Sequence, residues 1–213
     1  MHANPNHRLT YEQENGGFVF SKFTPATRED TYYALRSLNL INYQYPGNKI
    51  LDYIKQLIPK QIINIKNFYQ LLYIVSTYDL EFHIQHLSNL IERSELNYHN
   101  LSDLYYYIRS KILLNLPLTQ RIFEIVAGYP TESLRDLPNT VKYIILISLL
   151  NISYDKEYFL SYLSRCQSGD GRYGFLLGST SFLENVCYVL RAYKYLQSPP
   201  KHTDKILAFI QHY

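Results

Sequence analysis

The sequence predicts an all-α protein built from about five helical hairpins. Apolar residues recur at spacings of three and four along most of the 213 residues, which is the periodicity of a helix with one buried face. Proline or glycine stands between most of the periodic segments, and both residues end helices. The segments have similar lengths and follow one another in pairs, as in a two-helix repeat protein.

Ten helices are predicted, and no segment has the pattern of a β-strand. The first helices of the pairs begin at intervals typical of a two-helix repeat. The predicted pairs span 28–41 with 47–58, 66–78 with 80–92, 100–114 with 118–128, 138–151 with 155–165, and 180–197 with 202–212.

The first helix shows most clearly how the sequence specifies a helix. Its apolar residues fall on one face, and Thr27 is placed to be the N-cap. Glu29 and Asp30 follow in the first turn, where negative charge is favoured by the helix dipole. The apolar face consists of Ala34, Leu35, Leu38 and Ile41.

Composition sets limits on class and location. The formal net charge of +3 is too small to indicate nucleic-acid binding, and Lys and Arg are scattered along the chain. No apolar stretch is long enough to span a bilayer, and the polar N-terminus lacks the apolar core of a signal peptide. We therefore expect a cytoplasmic protein with a single domain over residues 1–213, of which 1–12 form a flexible tail.

Tyrosine and cysteine usage is also informative. The chain has 23 tyrosines and no tryptophan. Two explanations are open: a nucleotide bias that raises Tyr, Ile, Asn and Lys together, or a cavity lined by aromatic rings. The two cysteines, Cys166 and Cys187, form no C-x-x-C pair, so we expect reduced, buried thiols and no structural zinc site.

Two segments near the ends of the chain carry a glycine turn followed by a helix. The first runs from Gln13 through Gly16-Gly17-Phe18, and the second from Gln167 through Gly171 to Phe175. Glycine permits the turn, Phe can fill the space between hairpins, and the Gln amide can bridge the turn to the next helix end. The helices that follow also match, pairing Glu29 with Glu184, Tyr33 with Tyr188, Leu35 with Leu190 and Arg36 with Arg191.

These segments resemble the repeats of the prenyltransferase and squalene-oxidase family, which includes protein prenyltransferase β-subunits and terpenoid cyclases. The resemblance is specific for the first and last hairpins, whereas the middle three share only helix length and period. It implies an α/α toroid. The family's toroid usually closes with six hairpins, so five predict an open or incomplete barrel, or one that a partner chain or a second copy covers.

The resemblance also implies sites that can be checked by residue. Family prenyltransferases hold zinc with an Asp-x-Cys pair and a later His. Here Asn185 replaces the Asp before Cys187, and an amide is a poor zinc ligand. Cys187 is the nearest match to a metal ligand, and we predict no metal site and no zinc, magnesium or other cofactor. The acidic motifs of the cyclases are also missing from the sequence.

The diphosphate-binding cations of the family have no direct match either. The nearest alternatives are Arg172, Arg191 and Lys194, of which Arg191 and Lys194 share a helix face. The same spacing also suits an ordinary solvated helix end.

Three functions remain open at this level. The first is an isoprenoid or similar hydrophobic ligand in a central cavity, without the family's catalytic residues. The second is a non-catalytic protein interaction module. The third is an unorthodox prenyltransferase or cyclase subunit completed by a partner chain. The predicted cavity lining is Tyr32, Tyr33, Tyr69, Tyr73, Tyr106, Phe182 and Tyr188.

Overall fold

A computed structural model describes most of the chain. The described residues are 12–14, 16–19, 25–40, 47–57, 64–78, 81–92, 97–169, 171–176, 178–179 and 183–206. This part of the chain is all-α and contains no β-strand, only two isolated bridges within turns. The predicted tail over residues 1–12 lies outside the described residues except for Glu12.

The described residues form nine α-helices, and each begins and ends within three residues of its predicted bounds. A short 3-10 turn, Thr131–Ser133, precedes the seventh. The tenth predicted helix falls largely outside the described residues, but 203–206 is helical. The helices are α1 Arg28–Leu40, α2 Gly47–Leu57, α3 Ile65–Thr77, α4 Glu81–Glu92, α5 Leu101–Leu113, α6 Gln120–Ala127, α7 Leu137–Leu149, α8 Lys156–Arg165 and α9 Leu183–Tyr195.

Side-chain caps account for several of the helix starts. Thr27 Oγ1 accepts a hydrogen bond from the backbone N–H of Asp30 at 3.0 Å, which confirms its predicted role as N-cap. Asn64, Asp136 and Asp155 cap α3, α7 and α8 in the same way. These caps satisfy backbone N–H groups that the helix itself leaves without a partner.

Left-handed residues end three of the helices. Asn115, Asn151 and Gln197 follow α5, α7 and α9 with φ angles of 53°, 52° and 49°. In each case the next N–H donates to the carbonyl five residues earlier, for example from Ile152 to Ile147 at 2.9 Å. This is the Schellman arrangement, which satisfies the last carbonyls of a helix.

The chain divides into two compact units, with the division inside α5. Unit 1 comprises Met1–Leu96 and Arg109–Pro117, and unit 2 comprises Asn97–Ile108 and Leu118–Tyr213. In unit 1, α1 and α2 both pack on α3, which also packs on α4. In unit 2, α7 packs on α9 and α6. Most of α7 is buried, as expected for a helix whose apolar residues cover most of its surface.

The two glycine turns have the same backbone geometry. Gly16 and Gly171 adopt φ angles of 83° and 86°, which favour glycine. The isolated bridges join Glu12 to Phe18 in the first turn and Gln167 to Tyr173 in the second. The interval between these turns equals that between Arg36 and Arg191, so the repeat inferred from the helices extends into the turns.

This register corrects one detail of the sequence interpretation. Tyr173, which is fully buried, takes the position of Phe18, whereas Phe175 is 44% exposed and does not fill a space between hairpins. The bridging role of Gln167 is confirmed. Its Nε2 donates to the carbonyls of Gly171 at 3.1 Å and Lys201 at 3.2 Å, which ties the turn to the start of the next helical segment.

Two further findings concern location and thiols. None of the helices in the described ranges is long and apolar enough to cross a membrane. Neither cysteine is in a disulfide. Cys166 is buried, whereas Cys187 is exposed, contrary to the prediction for it. Burial raises the pKa of the Cys166 thiol, which disfavours the reactive thiolate.

Replacing Gly171 by Ala tests the importance of the second turn. A residue with a side chain costs about 1–2 kcal/mol in the left-handed conformation. We expect Gly171→Ala to lower the free energy of unfolding by more than this, because the added methyl also meets the Cβ of Lys205. Gly178→Ala is the matched control, since Gly178 has φ 74° but no atom within 4 Å of the added methyl. Equal losses in urea unfolding would show that the contact with Lys205 does not matter.

Alkaline pH tests the burial of Tyr162 on α8. Burial raises the pKa of this phenol to about 12, above its value of about 10 in an unfolded chain. The folded state therefore holds the proton more tightly, and this stability is present below pH 10 and lost as pH rises towards 12. In urea unfolding, Tyr162→Phe should make the fall in stability shallower by about 1.4 kcal/mol per pH unit.

The control for this measurement is Tyr158→Phe, which removes a phenol that is 44% exposed on the same helix. A slope that changes equally in both variants would contradict the assignment to Tyr162.

Candidate functional site

Unit 1 contains a cluster of tyrosine and arginine side chains contributed by three helices. Tyr32, Tyr33 and Arg36 lie on α1, Tyr69 and Tyr73 on α3, and Arg109 on α5. We call these six residues the Tyr–Arg cluster. The pairs 32 and 36, and 69 and 73, are four residues apart, so each pair occupies one helix face.

The ring of Tyr32 is the centre of the aromatic part of the cluster. Its centroid lies 5.0 Å from Tyr33, 5.1 Å from Tyr73 and 6.0 Å from Tyr69. All three pairs meet edge to face, the geometry that aromatic quadrupoles favour. The rings therefore add a specific attraction to the packing of α1 on α3.

Each arginine of the cluster is held by a phenol. The guanidinium of Arg36 donates to Tyr32 Oη at 2.7 Å, and that of Arg109 donates to Tyr69 Oη at 2.9 Å. Both cations also lie over aromatic rings. Arg36 is 5.6 Å from the Tyr32 centroid and Arg109 is 5.6 Å from that of Tyr69. The hydrogen bonds from the two guanidinium groups to phenol oxygens fix the orientation of both arginine side chains relative to the rings.

Exposure differs across the cluster. The rings of Tyr32 and Tyr69 are buried, with 3% and 1% of their surface exposed. Tyr33 is 42% exposed, whereas Tyr73, Arg36 and Arg109 are half-buried. A ligand could therefore contact Tyr33, Tyr73 and the two arginines, which keep part of their surface exposed, but not the buried rings of Tyr32 and Tyr69.

One ion pair lies beside the cluster on the same two helices. Lys66 Nζ on α3 is 2.7 Å from Glu29 Oε1 on α1. Glu29 precedes Tyr33 by one helical turn, so the ion pair lies near the exposed Tyr33 ring. The Glu29 carboxylate is already engaged with Lys66. Both side chains are well exposed, so the pair contributes little to stability.

The glutamine next to Tyr69 is unusual. Gln70 on α3 is 1% exposed, yet neither its Nε2 nor its Oε1 has a hydrogen-bond partner among the described residues. Buried amides are nearly always paired, so each exception requires an explanation. The Gln70 amide is therefore a buried polar group of unit 1 with no hydrogen-bond partner among the described residues.

The remaining predicted aromatic residues lie in unit 2 or outside the described residues. Tyr106 is half-buried on α5, where its ring lies 5.1 Å from that of Tyr105. Tyr188 is half-buried on α9. Phe182 lies outside the described residues. The structure thus brings together Tyr32, Tyr33, Tyr69 and Tyr73, all from the first two hairpins.

The predicted diphosphate-binding cations also belong to unit 2. Arg191 on α9 is half-buried and donates to Tyr105 Oη at 2.6 Å. Lys194 is exposed near the end of the same helix, and Arg172 is exposed in the second glycine turn. Arg191 and Lys194 therefore differ in environment, because only Arg191 is held by a phenol.

Sequence reasoning missed both arginines of the Tyr–Arg cluster. A signal for Arg36 was present, because this residue matches Arg191 in the internal repeat. Arg109 had no such signal, since its partner Tyr69 lies 40 residues earlier in the chain. Only the folded structure brings the two residues together.

Metal ligands give a separate result. Among the described residues, no group of three or more His, Cys, Asp or Glu side chains is placed to hold a metal ion. Asn185 donates from Nδ2 to the carbonyl of Tyr173 at 3.2 Å. Its amide therefore ties α9 to the glycine turn, which is a structural role for Asn185.

The hydrogen bond between Arg109 and Tyr69 can be tested directly. Tyr69→Phe removes the phenol oxygen and leaves the guanidinium without it, and a hydrogen bond to a charged group contributes about 1.5–3 kcal/mol. We expect a loss of that size in the free energy of urea unfolding. Tyr33→Phe, on an exposed ring of the same cluster, should change it by about 0.5 kcal/mol or less. Equal effects in the two variants would contradict a structural role for this bond.

Similarity to known proteins adds no constraint on the site. Comparisons of the chain with protein-family models, curated proteins and solved structures find no match. The residues of this chain therefore carry every inference about its fold family and function.

Proposed function

We propose that this protein is an α/α-toroid-like protein that binds an isoprenoid or similar hydrophobic ligand with an anionic head group. The Tyr–Arg cluster carries this proposal. Four of the seven aromatic residues expected to line a cavity come together in unit 1, and two oriented guanidinium groups lie over their rings. No catalytic step is assigned to the cluster.

The packing of the helices supports a toroid. In such a fold the first helices of successive hairpins form an inner ring and contact one another. Here α1 packs on α3 in unit 1, and α7 packs on α9 in unit 2. Both are pairs of first helices from successive hairpins, which is the neighbour relation that an inner ring requires.

The chemistry of the cluster suits an unsaturated chain bearing a phosphate or diphosphate. Aromatic edges and faces bind apolar and unsaturated groups. Guanidinium is the side chain best suited to phosphate, because its fixed donors match the phosphate oxygens. The Tyr32 and Tyr69 hydroxyls hold Arg36 and Arg109 in place, which reduces the entropy lost when a ligand binds.

For the head group we prefer Arg36 and Arg109 to Arg172, Arg191 and Lys194. Arg36 and Arg109 lie directly over the aromatic rings. Arg172 and Lys194, in contrast, are exposed residues of unit 2. A head group at Arg36 and Arg109 would leave its chain within reach of the Tyr33 and Tyr73 rings.

A second candidate function is protein–protein interaction. Large apolar side chains are exposed in both units, including Leu90, Ile112 and Leu113 in unit 1 and Phe175 and Leu176 in unit 2. Single exposed apolar residues are common, but helical-repeat proteins use such residues to bind partners. This function needs no anionic ligand, which separates it experimentally from the first.

A thermal-shift series with prenyl alcohols and prenyl diphosphates of increasing length tests the proposal. A ligand at a hundred times its dissociation constant should add about 2.7 kcal/mol to the free energy of unfolding. We expect stabilisation that grows with chain length and is larger for the diphosphate than for the alcohol. Each series is run with and without zinc or magnesium, because metal dependence would favour the enzyme alternative.

Two variants locate the head group. Arg36→Met should remove most of the advantage of the diphosphate over the alcohol. Arg121→Met is the matched control, since Arg121 is exposed and lies 4.9 Å over the Tyr98 ring in unit 2. An absence of stabilisation by every prenyl compound would overturn the proposal and favour the interaction module, and an equal loss in both variants would exclude the Tyr–Arg cluster as the site.

A further inference from the structure

The internal repeat places an arginine in unit 2 at the position that Arg36 occupies in unit 1. This residue is Arg191 on α9, and its guanidinium donates to Tyr105 Oη on α5 at 2.6 Å. In unit 1 the phenol that holds Arg36 comes from the same helix, at Tyr32. The same interval places Cys187 at the matching position of unit 2, so the phenol in unit 2 is supplied by another helix.

The charge of Arg191 has no acidic partner in the part of the chain that the structure describes. The side chain is half-buried, so water reaches the guanidinium only in part. A phenol is uncharged at neutral pH, and a guanidinium has more N–H donors than one phenol oxygen can accept from. Arg191 therefore keeps its positive charge, and its remaining donors can bind an anion.

A second cation meets α5 about one turn away. Lys142 on α7 donates through Nζ to Ser102 Oγ, and Ser102 precedes Tyr105 by one helical turn. Lys142 is half-buried, as Arg191 is. The two side chains thus approach neighbouring positions of α5 from α7 and from α9. Phosphate oxygens accept hydrogen bonds from ammonium and guanidinium alike.

Negative groups near these cations are few among the described residues. Asp103 on α5 is two positions before Tyr105, so the two side chains face different sides of the helix. Asp136 is occupied as the N-cap of α7. Glu184 is two turns before Arg191 on α9, and its side chain lies outside the described residues. The C-terminus of α9 carries about half a negative charge, which is less than the charge of Arg191 alone, so this position stays positive.

Tyrosine rings lie beside the two cations. Tyr106 is half-buried, and its ring centroid is 5.1 Å from that of Tyr105. Tyr188 is half-buried and precedes Arg191 by three residues, so the two share one face of α9. These rings offer apolar surface to the part of a ligand that does not carry the charge.

We propose that Arg191 and Lys142 form a phosphate-binding site in unit 2, in which Tyr105 is the positioning residue that orients the guanidinium. The ligand is inorganic phosphate or the phosphate group of a small molecule whose apolar part lies against Tyr106 and Tyr188. The site does not depend on the proposed isoprenoid site, because its residues belong to unit 2 and it requires no prenyl chain. Either proposal can therefore fail without affecting the other.

Phosphorus NMR on the full chain tests the site with inorganic phosphate and phenyl phosphate at constant ionic strength. We expect the protein to broaden the signal of at least one probe. Arg191→Met should weaken binding of that probe about tenfold, whereas Arg135→Met, at an exposed arginine of the same unit, should leave it unchanged. Tyr105→Phe should weaken binding less than Arg191→Met does, because the charge remains and only its orientation is lost. No broadening of either probe, or equal effects of Arg191→Met and Arg135→Met, would overturn the proposal.

Cys187 provides a measurement that separates this site from the Tyr–Arg cluster. Its exposed thiol lies one turn before Arg191, whereas Cys166 is buried. Bound phosphate should slow the alkylation of Cys187 by iodoacetamide in the unaltered chain, and by the same factor in Arg36→Met. This measurement needs no substitution in unit 2, so it remains valid if Arg191→Met does not fold. An unchanged rate, or protection that is lost in Arg36→Met, would overturn the proposal.

Discussion

The packing of α1 on α3 and of α7 on α9 is the constraint on which the rest of the structure depends. Each pair consists of the first helices of two successive hairpins. In unit 1, α1 meets α3 through the Tyr32, Tyr69 and Tyr73 rings. In unit 2, α7 supplies an almost wholly buried surface on which α9 packs. Burial of this kind supplies most of the stability of short helices, which are marginal in isolation. The glycine turns, the caps and the Schellman ends then determine where each helix begins and ends.

Tyrosine makes it possible to place arginine beside these apolar faces. Removing a guanidinium from water is costly unless its donors find partners. Arg36, Arg109 and Arg191 each donate to a phenol oxygen, and each phenol also contributes an apolar ring to the packing. The tyrosine excess of the chain therefore includes a structural component, whatever its origin in the nucleotide sequence. It also brings cations and aromatic rings together in unit 1, and the proposed ligand binding rests on this feature.

Prediction from sequence succeeded where the determining interactions are local. Helix bounds followed from apolar spacing, from proline and glycine, and from caps such as Thr27, all of which act within a few residues. Prediction from sequence failed for the burial of two side chains, Phe175 and Cys187. Phe175 appeared equivalent to Phe18, but the turn register assigns that position to Tyr173. Cys187 was expected to be a buried thiol because it belongs to no C-x-x-C pair, yet its side chain is exposed.

The sequence by itself determined the all-α class, the order of the helices and the internal repeat between the two ends of the chain, because periodicity and turn chemistry are encoded within short segments. Only the tertiary structure decided which tyrosines meet and which arginines they hold. Tyr69 and Arg109 are 40 residues apart, and Tyr105 and Arg191 are 86 apart, and no local pattern specifies such pairs.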